Sequence, residues 1–462
     1  MNITQLIVNF SNWLWGPPML ILLAGGGLFL TVKLGFFQFT HLWYIYGQTF
    51  GKMFKKSDDK NAISPFQAAT AALASTIGAS NIVGVPVAIA FGGPGAVFWM
   101  WVIALIGNAS KFTEIVLGIK YREKNEAGEF VGGPTYYLSK GIKNKKLGKI
   151  LAFMFAFFLF LELVPSIATQ SISAVQTLSS IGVPKMLTGI AMTFIVFIVI
   201  FGGIKRISQV TEMMVPIMAI LYLIGALIII ISNITSVPSI FALIFKSAFT
   251  PLAATGGFTG SSVALALRWG AARGTYSNEA GMGTAPIAHA TADTDHPVRQ
   301  GFWGIFEITV DTLMVGTATA LVVLLTGVWT EIPVSEAASM PAVAFINQFG
   351  PIGGYLVSIS IFLFVLSTLI VLVYYGEKQA EYLFGTKFAT KWKYVYVVSI
   401  ILGVVGGIEF LYSFIDLFLA LIIIPNVIGI ILLSDEVVAL KNEFFTSEKY
   451  YLKDKNKKSS KV

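Results

Sequence analysis

The sequence predicts an all-α polytopic membrane protein of eleven transmembrane helices. One extra N-terminal span precedes an inverted repeat of five plus five spans whose opening members are discontinuous helices. Three observations carry this. The 462 residues are 55% hydrophobic and only 12% charged, against about 25% charged in a soluble domain. Apolar runs near the ~20 residues that cross a bilayer recur along the chain, without the alternating strand pattern of an outer-membrane barrel. Two of these runs carry glycine and polar residues at their centres, in corresponding places of two halves.

The first span is Leu14–Phe37, with Trp13 and Trp15 as interfacial anchors. Nothing before it carries the positive n-region of a cleavable signal. The second is Ile63–Phe91, the third Pro94–Ile119 and the fourth Ile150–Leu178. The fifth is Lys185–Phe201 and the sixth Val210–Ile231. The seventh, Leu252–Ala290, is too long for one straight span and rich in glycine. The eighth is Phe302–Val328, the ninth Ile352–Tyr375, the tenth Tyr394–Val405 and the eleventh Leu411–Leu433.

Charge placement tests the count. Cytoplasmic loops are enriched in Lys and Arg. With the C-terminus inside, one set of loops and the tail holds 26 of the 32 basic residues, and the opposite loops hold only Lys185 and Lys246. Lys33, Lys111, Arg268 and Arg273 fall within spans. The expectation is a plasma-membrane protein with its N-terminus outside and its C-terminus in the cytoplasm. The net charge of +8 then needs no nucleic-acid partner. The tail "KYYLKDKNKKSSKV" lies beside anionic lipid.

The halves match in plan. Residues 1–62 hold the extra span, 63–232 the first five-span repeat, 233–434 a connector and the second repeat, and 435–462 the tail. Each repeat opens with a glycine-interrupted span. Each has a long loop after its second span, with a short helix-like piece, "GGPTYYLSKGI" or "SEAASMPAVAFINQFG". Five is odd, so the repeats have opposite orientations. Inverted repeats with broken helices in corresponding positions point to a secondary transporter with a midplane site.

The break of the second span is expected at Thr76–Ser80. Glycine weakens a helix interior by about 1 kcal/mol relative to alanine, and Ser, Thr and Asn offer competing local hydrogen bonds. Unwound backbone at the midplane is tolerated only where it faces protein or a wet cavity. Its carbonyls and hydroxyls are hard ligands suited to Na⁺, and N–H groups at a half-helix N-terminus suit a carboxylate. Close packing would account for Gly78 or Gly84 singly, less well for Thr76, Gly78, Ser80 and Asn81 together. In the seventh span, "GGFTGSSVALALRWGAARGTYSNEAGMGTAPIAHA", the break is expected at Trp269, Gly270 and Gly274. There Glu279 is the candidate partner of Arg273, and "SNEAGMG" starts the cytoplasmic half or its gate. The ninth span holds Ser367 and Thr368, two adjacent hydroxyls that look like half a Na⁺ site. Glu162, Asp416, the Lys111/Glu114 pair and the Glu307/Asp311 pair also lie in the membrane. Glu307 and Asp311 are expected to pair with an arginine of the seventh span; a proton relay through them is the alternative.

"GGPGAVFWMWVIALIG", Gly92–Gly107, resembles the signature of the alanine or glycine:cation symporter family, the sodium:alanine symporters. "SNEAGMGTAPIAHA" and "STLIVLVYYGEKQAEYLFG" resemble further family blocks, so the likeness spans nearly the whole chain. It implies a LeuT-like fold of five-plus-five inverted repeats behind the extra span. It also implies Na⁺-coupled uptake of small neutral amino acids such as alanine and glycine, with Na⁺ the coupling ion and no organic cofactor. "GASNIVGVPVAIAFGGPGAVF" parallels the first core helix of that fold. By this match Gly78, Ala79 and Ser80 offer N–H groups to the substrate carboxylate. The carbonyls of Ala74 and Ile77, with Ser367 and Thr368, form a Na⁺ site. The Thr76 carbonyl and the Asn81 side chain match a second one. Trp269, Gly270 and Gly274 join the substrate site, as does Gln170, a lone amide of the fourth span. The sequence departs from the pattern with Ser80 in place of glycine and Gly84 in place of a large gate residue. With no cysteine and only three scattered histidines, neither a thiolate metal site nor a metalloenzyme is expected. No nucleophile–base constellation suggests an enzyme.

Overall fold

The computed structural model describes residues 3–53, 62–253, 258–405 and 412–452. Most of these residues are helical; the one sheet among them is the two-residue pair of Glu123–Lys124 with Phe130–Val131. Among the described residues eight helices are long and apolar enough to cross a membrane: Gln5–Lys33, Gly95–Lys120, Lys145–Ser179, Gly203–Ser232, Pro297–Leu325, Pro351–Phe384, Thr386–Val405 and Phe414–Leu432. Pro65–Thr76 and Ser80–Gly92 are together long and apolar enough for a ninth, with a bend of 46° at the break between them. At the expected fifth and seventh spans stand shorter helices of 16 residues each, Lys185–Ile200 and Val263–Asn278.

Local chemistry sets the helix starts. Ser64 accepts from the Gln67 amide at 3.1 Å while the Gln67 side chain accepts from the Ser64 amide at 3.0 Å, with Pro65 at the first helical position. This is a capping box. Ser262 caps the Leu265 amide and Asn144 the Leu147 amide. Burial sorts the helices. The apolar windows of Gly95–Lys120 and Pro351–Phe384 are each 78% buried, so these two helices are central. Gln5–Lys33 at 33%, and Gly203–Ser232 and Thr386–Val405 at 39%, present their apolar sides outward and form the periphery. Helix Lys145–Ser179 packs on Pro351–Phe384 and Tyr412–Leu432, and Val263–Asn278 packs on Gly95–Lys120.

The structure departs from the sequence reading in four places. Residues 233–251, expected as a connector, hold an amphipathic helix, Val237–Phe249. The eighth span contains a π-helical stretch, Thr309–Gly316. The ninth runs on to Phe384. The seventh does not break at Trp269, Gly270 or Gly274: Val263–Asn278 is uninterrupted there. A Cβ on Gly270 would meet the Ala96 carbonyl at 2.4 Å, and one on Gly274 would meet Met100 at 3.3 Å. These glycines permit close packing on Gly95–Lys120, which a small residue serves without unwinding its helix. The interruption falls at Glu279, whose φ of 55° is left-handed, and continues through Gly281 and Gly283 at φ of 91° and 80°. The chain becomes helical again at Ala285–His289. The short loop helices are present as Pro134–Gly141 and Met340–Phe349. The tail begins as a helix, Ser434–Thr446; the lysines from Lys453 onward, like Lys55, Lys56 and Lys60, lie outside the described residues.

Candidate binding site at the helix breaks

The second span stops at Thr76 because Ile77 leaves the helical region, with ψ of 82°. Gly78 then turns the chain. Its amide donates to the Thr76 carbonyl at 2.9 Å and to Asn81 Oδ1 at 3.2 Å, and the Asn81 amide donates to the Gly78 carbonyl. A π-helical turn, Ser80–Gly84, restarts the span. The Ser80 hydroxyl reaches back to the Thr76 carbonyl at 3.3 Å.

Helix Pro351–Phe384 closes one side of the break. Thr368 Oγ1 lies 2.9 Å from the Ala74 carbonyl and 2.9 Å from its own Phe364 carbonyl. A Cβ on Gly78 would come within 2.9 Å of the same hydroxyl. Ser367, expected beside Thr368 as a ligand, turns its hydroxyl to the Phe364 carbonyl and to Met218 Sδ at 3.4 Å. The Thr76 hydroxyl bonds back into its own helix, to the Leu73 carbonyl at 3.3 Å.

The second break meets the first. Asn81 Nδ2 donates to Asp311 Oδ1 at 2.8 Å, to the Asp311 carbonyl at 3.1 Å and to Ser277 Oγ at 3.0 Å. The hydroxyls of Ser277 and Thr312 donate to Asp311 Oδ2 at 2.9 and 2.7 Å. The Asp311 carbonyl, inside the π-helical stretch of the eighth span, joins this network as an acceptor. Ser75 Oγ is 3.2 Å from Glu279 Oε2, which also accepts from Thr284 at 2.5 Å. These groups are buried, and buried polar groups must be paired to be tolerated.

Beside the breaks lies a cavity lined by Ser75, Ser80, Gln170, Thr368, Tyr276 and two carboxylates, Glu162 and Glu279, with Leu159, Leu163, Leu372 and Leu419 as apolar walls. It brings together Ser80, Gln170 and Thr368 of the expected site. Ile77, Gly78, Ala79 and Asn81 stand at the break, and Ala74 and Thr76 in the last turn before it; none of these lines the cavity. Trp269, Gly270 and Gly274 do not line it. Trp269 stacks on Phe91, ring centroids 4.5 Å apart. Glu162 is held by Ser166 one turn on.

The expected charge pairs are rearranged. Glu279 bonds Ser75 and Thr284 rather than Arg273. Glu307 pairs with His289 at 2.5 Å and Lys111 at 3.4 Å, not with an arginine. Lys111 also donates to the Asn278 carbonyl at 2.8 Å, whereas Glu114 accepts from Asn426 at 2.6 Å. Ser75, Ser277, Thr284 and Tyr276 escaped sequence reasoning, because single hydroxyls beside a break carry no pattern of their own. Asp311 was visible as a charge in an apolar run, but not its partner.

A binding role fits this arrangement better than covalent chemistry. Backbone oxygens, hydroxyls and carboxylates converge on unwound backbone, as hard cations require. Comparison with known proteins agrees. Residues 1–459 match the sodium:alanine symporter family. The chain is 52% identical to an uncharacterized transporter, YflA, of Bacillus subtilis, over 98% of this chain and 96% of the relative. It is 40% identical to the sodium/alanine symporter AgcS of Methanococcus maripaludis, over 96% and 98%. A crystal structure of the Eremococcus coleocola manganese transporter in complex with an aromatic bis-isothiourea substituted compound shares the fold alone. It aligns with a TM-score of 0.50 and 12% identity over 83% of this chain and 78% of that one.

Proposed function

Because the chain belongs to the sodium:alanine symporter family, we propose that it imports small neutral amino acids, alanine and glycine, together with Na⁺ by alternating access. Membership makes it a membrane-embedded, cation-coupled amino-acid symporter and not an enzyme. The finer reading is of eleven spans, a LeuT-like repeat behind one extra span, and a plasma-membrane protein with the N-terminus outside. The alanine preference is supported by the relative described as a sodium/alanine symporter.

In this reading substrate and Na⁺ bind side by side at the break of the second span. The carbonyls of Ala74 and Ile77 and the hydroxyls of Thr368 and Ser367 hold Na⁺; Ser367 must rotate off Met218 to contribute. The amides of Gly78, Ala79 and Ser80 take the substrate carboxylate, for which the Gly78 amide must leave the Thr76 carbonyl and Asn81. Gln170, Glu162 and Glu279 lie where they can meet its ammonium. A second Na⁺ on the Thr76 carbonyl and Asn81 requires the Asn81–Asp311 network to open. Trp269, Gly270 and Gly274 serve as the packing face on which the Val263–Asn278 helix moves. The two breaks let the halves of each span tilt separately, which is what alternate opening needs.

The observation that carries this reading is the contact of Thr368 with the Ala74 carbonyl at the break. One inward Na⁺ gains about 2.3 kcal/mol per 100 mV of inside-negative potential, roughly fifty-fold in substrate accumulation. Proteoliposomes holding the purified protein test it. Radiolabelled alanine should accumulate only under an inward Na⁺ gradient and faster with the interior negative. Proton coupling is the second reading, favoured by the carboxylates Glu162 and Glu279 on the cavity wall. Accumulation driven by a pH gradient in Na⁺-free buffer would replace the first reading with it.

A further inference from the structure

A second cavity opens beside the first, one step toward the start of the Val263–Asn278 helix. Its chemistry is not used by the site at the breaks. It is lined by Arg268, Trp269, Arg273 and Tyr276 on that helix, with Trp15 and Asp416 opposite. The four helix positions fall on one stripe, at i, i+1, i+5 and i+8.

The charges in this cavity, two half-buried arginines and the more exposed Asp416, make no direct contact with one another. Among the described residues, neither arginine makes a hydrogen bond or an ion pair. Their guanidinium groups lie only over aromatic rings: Arg268 is 5.8 Å from the Trp269 ring, and Arg273 is 5.4 Å from Trp269 and 5.9 Å from Tyr276. Arg273 Nε is buried without an acceptor. The Asp416 carboxylate has no hydrogen bond among the described residues either; only its backbone carbonyl is engaged, by the Trp15 indole N–H at 2.7 Å. Charges within the membrane are costly and are ordinarily paired. Here two cations and one anion face a common space without touching.

We propose that this cavity is a second amino-acid site, in which Arg273 and Arg268 take the substrate's carboxylate and Asp416 its ammonium. The proposal rests on the amino-acid reading above. A simple anion leaves Asp416 unmatched, and a simple cation leaves the arginines unmatched; a zwitterion with both charges on one carbon answers the whole set. The planar guanidinium suits bidentate carboxylate binding. Tyr276 lines both this cavity and the one at the breaks. It is therefore the partition past which a captured amino acid moves to reach Ser80 and Thr368.

Equilibrium dialysis of the purified full chain against radiolabelled alanine, at saturating Na⁺, tests the site by stoichiometry. Two alanines per chain are expected for the native sequence. Arg273→Gln should bind one, and Asp416→Asn, across the cavity, should also bind one and gives an independent reading should the first variant not fold. Arg273→Lys keeps the charge and should still bind two, the second at least tenfold more weakly. Thr368→Val should need a roughly ten- to hundredfold higher Na⁺ concentration to bind the Na⁺-dependent alanine and should retain the other without it. One alanine per chain in the native protein, unchanged in Arg273→Gln and Asp416→Asn, overturns the second site alone. Two that survive both variants also overturn it. No alanine bound at all, with or without Na⁺, overturns the amino-acid reading and the second site with it.

Discussion

Thr368 Oγ1 sits 2.9 Å from the Ala74 carbonyl, joining the middle of an unbroken 34-residue helix to the last turn before the second span breaks. The hydroxyl is also bonded to Phe364, so its proton is shared between two carbonyls and its lone pairs remain for a cation. Thr368→Val keeps the shape and removes the oxygen. The expected result is a Na⁺ concentration for half-maximal alanine uptake raised by roughly ten- to a hundredfold, as loss of a ligand worth about 1.5–3 kcal/mol implies. Na⁺ titration of uptake in proteoliposomes measures it, and an unchanged midpoint removes Thr368 from the ion site.

Gly78 is held small by the same hydroxyl. An added Cβ would stand 2.9 Å from Thr368 Oγ1, closer than real contacts allow, so Gly78→Ala must push the hydroxyl off Ala74. Uptake should fall and the Na⁺ midpoint rise. The Gly78→Ala/Thr368→Ala double variant should lose no more than Thr368→Ala alone, because the clash and the ligand vanish together. Additive losses would place the effect of Gly78 elsewhere.

Asn81 carries the link between the two breaks. Its amide supplies two of the four hydrogen bonds that reach Asp311. Asn81→Ala leaves that buried carboxylate short of donors at a cost of about 2–3 kcal/mol. Thermal denaturation in detergent should show a midpoint lowered by several degrees, whereas Ser277→Ala, which removes one hydroxyl donor, should shift it less. Equal midpoints for Asn81→Ala and the native chain would mean that water or an ion replaces the amide.

The break at Ile77–Gly78 was legible in the sequence because a cluster of Gly, Ser, Thr and Asn inside an apolar run has one physical meaning. The seventh span was misread by half a helix. Gly270 and Gly274 look like helix breakers from composition, yet they serve close approach to Ala96 and Met100, and only the neighbouring backbone distinguishes the two uses. Glu279 breaks the helix instead, in a left-handed conformation that its residue type does not advertise. The partners of Lys111, Glu279 and Glu307 were equally hidden. Sequence spacing indicates which charges share a helix face, but these pairs form between helices, where register is set by packing.

The His296 ring begins the eighth span by accepting from the Val298 amide at 3.2 Å, and it packs against Phe444 and Tyr450 of the C-terminal segment. Burial holds its pKa below the ordinary value of 6.5, against an upward pull from Glu443 and Asp295 and with Arg299 and Lys449 pushing the same way as burial. The unfolded chain therefore takes up the proton first as pH falls. The stability this ring contributes is complete above about pH 6.5 and is lost on acidification below it. Thermal midpoints should hold above about pH 6.5 and drop as the pH is lowered further. His296→Asn, which can still cap the helix but does not titrate there, should flatten that drop.

Lys111 and Glu307 are 0% and 1% exposed, 3.4 Å apart, between the Gly95–Lys120 helix and the eighth span. Lys111 also satisfies the Asn278 carbonyl at the end of the seventh-span helix, and Glu307 is shared with His289 beyond the break. The pair thus ties both ends of the interrupted segment to the central helices. Lys111→Met strands a buried carboxylate and should cost about 3–5 kcal/mol, seen as a large fall in thermal midpoint or in yield of folded protein. Glu307→Gln strands the ammonium and should cost a similar amount. The Lys111→Met/Glu307→Gln double variant leaves no uncompensated charge, and the amide it places on the eighth span can still bond His289, so most of the loss should return. If the double variant is as unstable as the sum of the singles, the two charges act separately and the segment is held by packing alone.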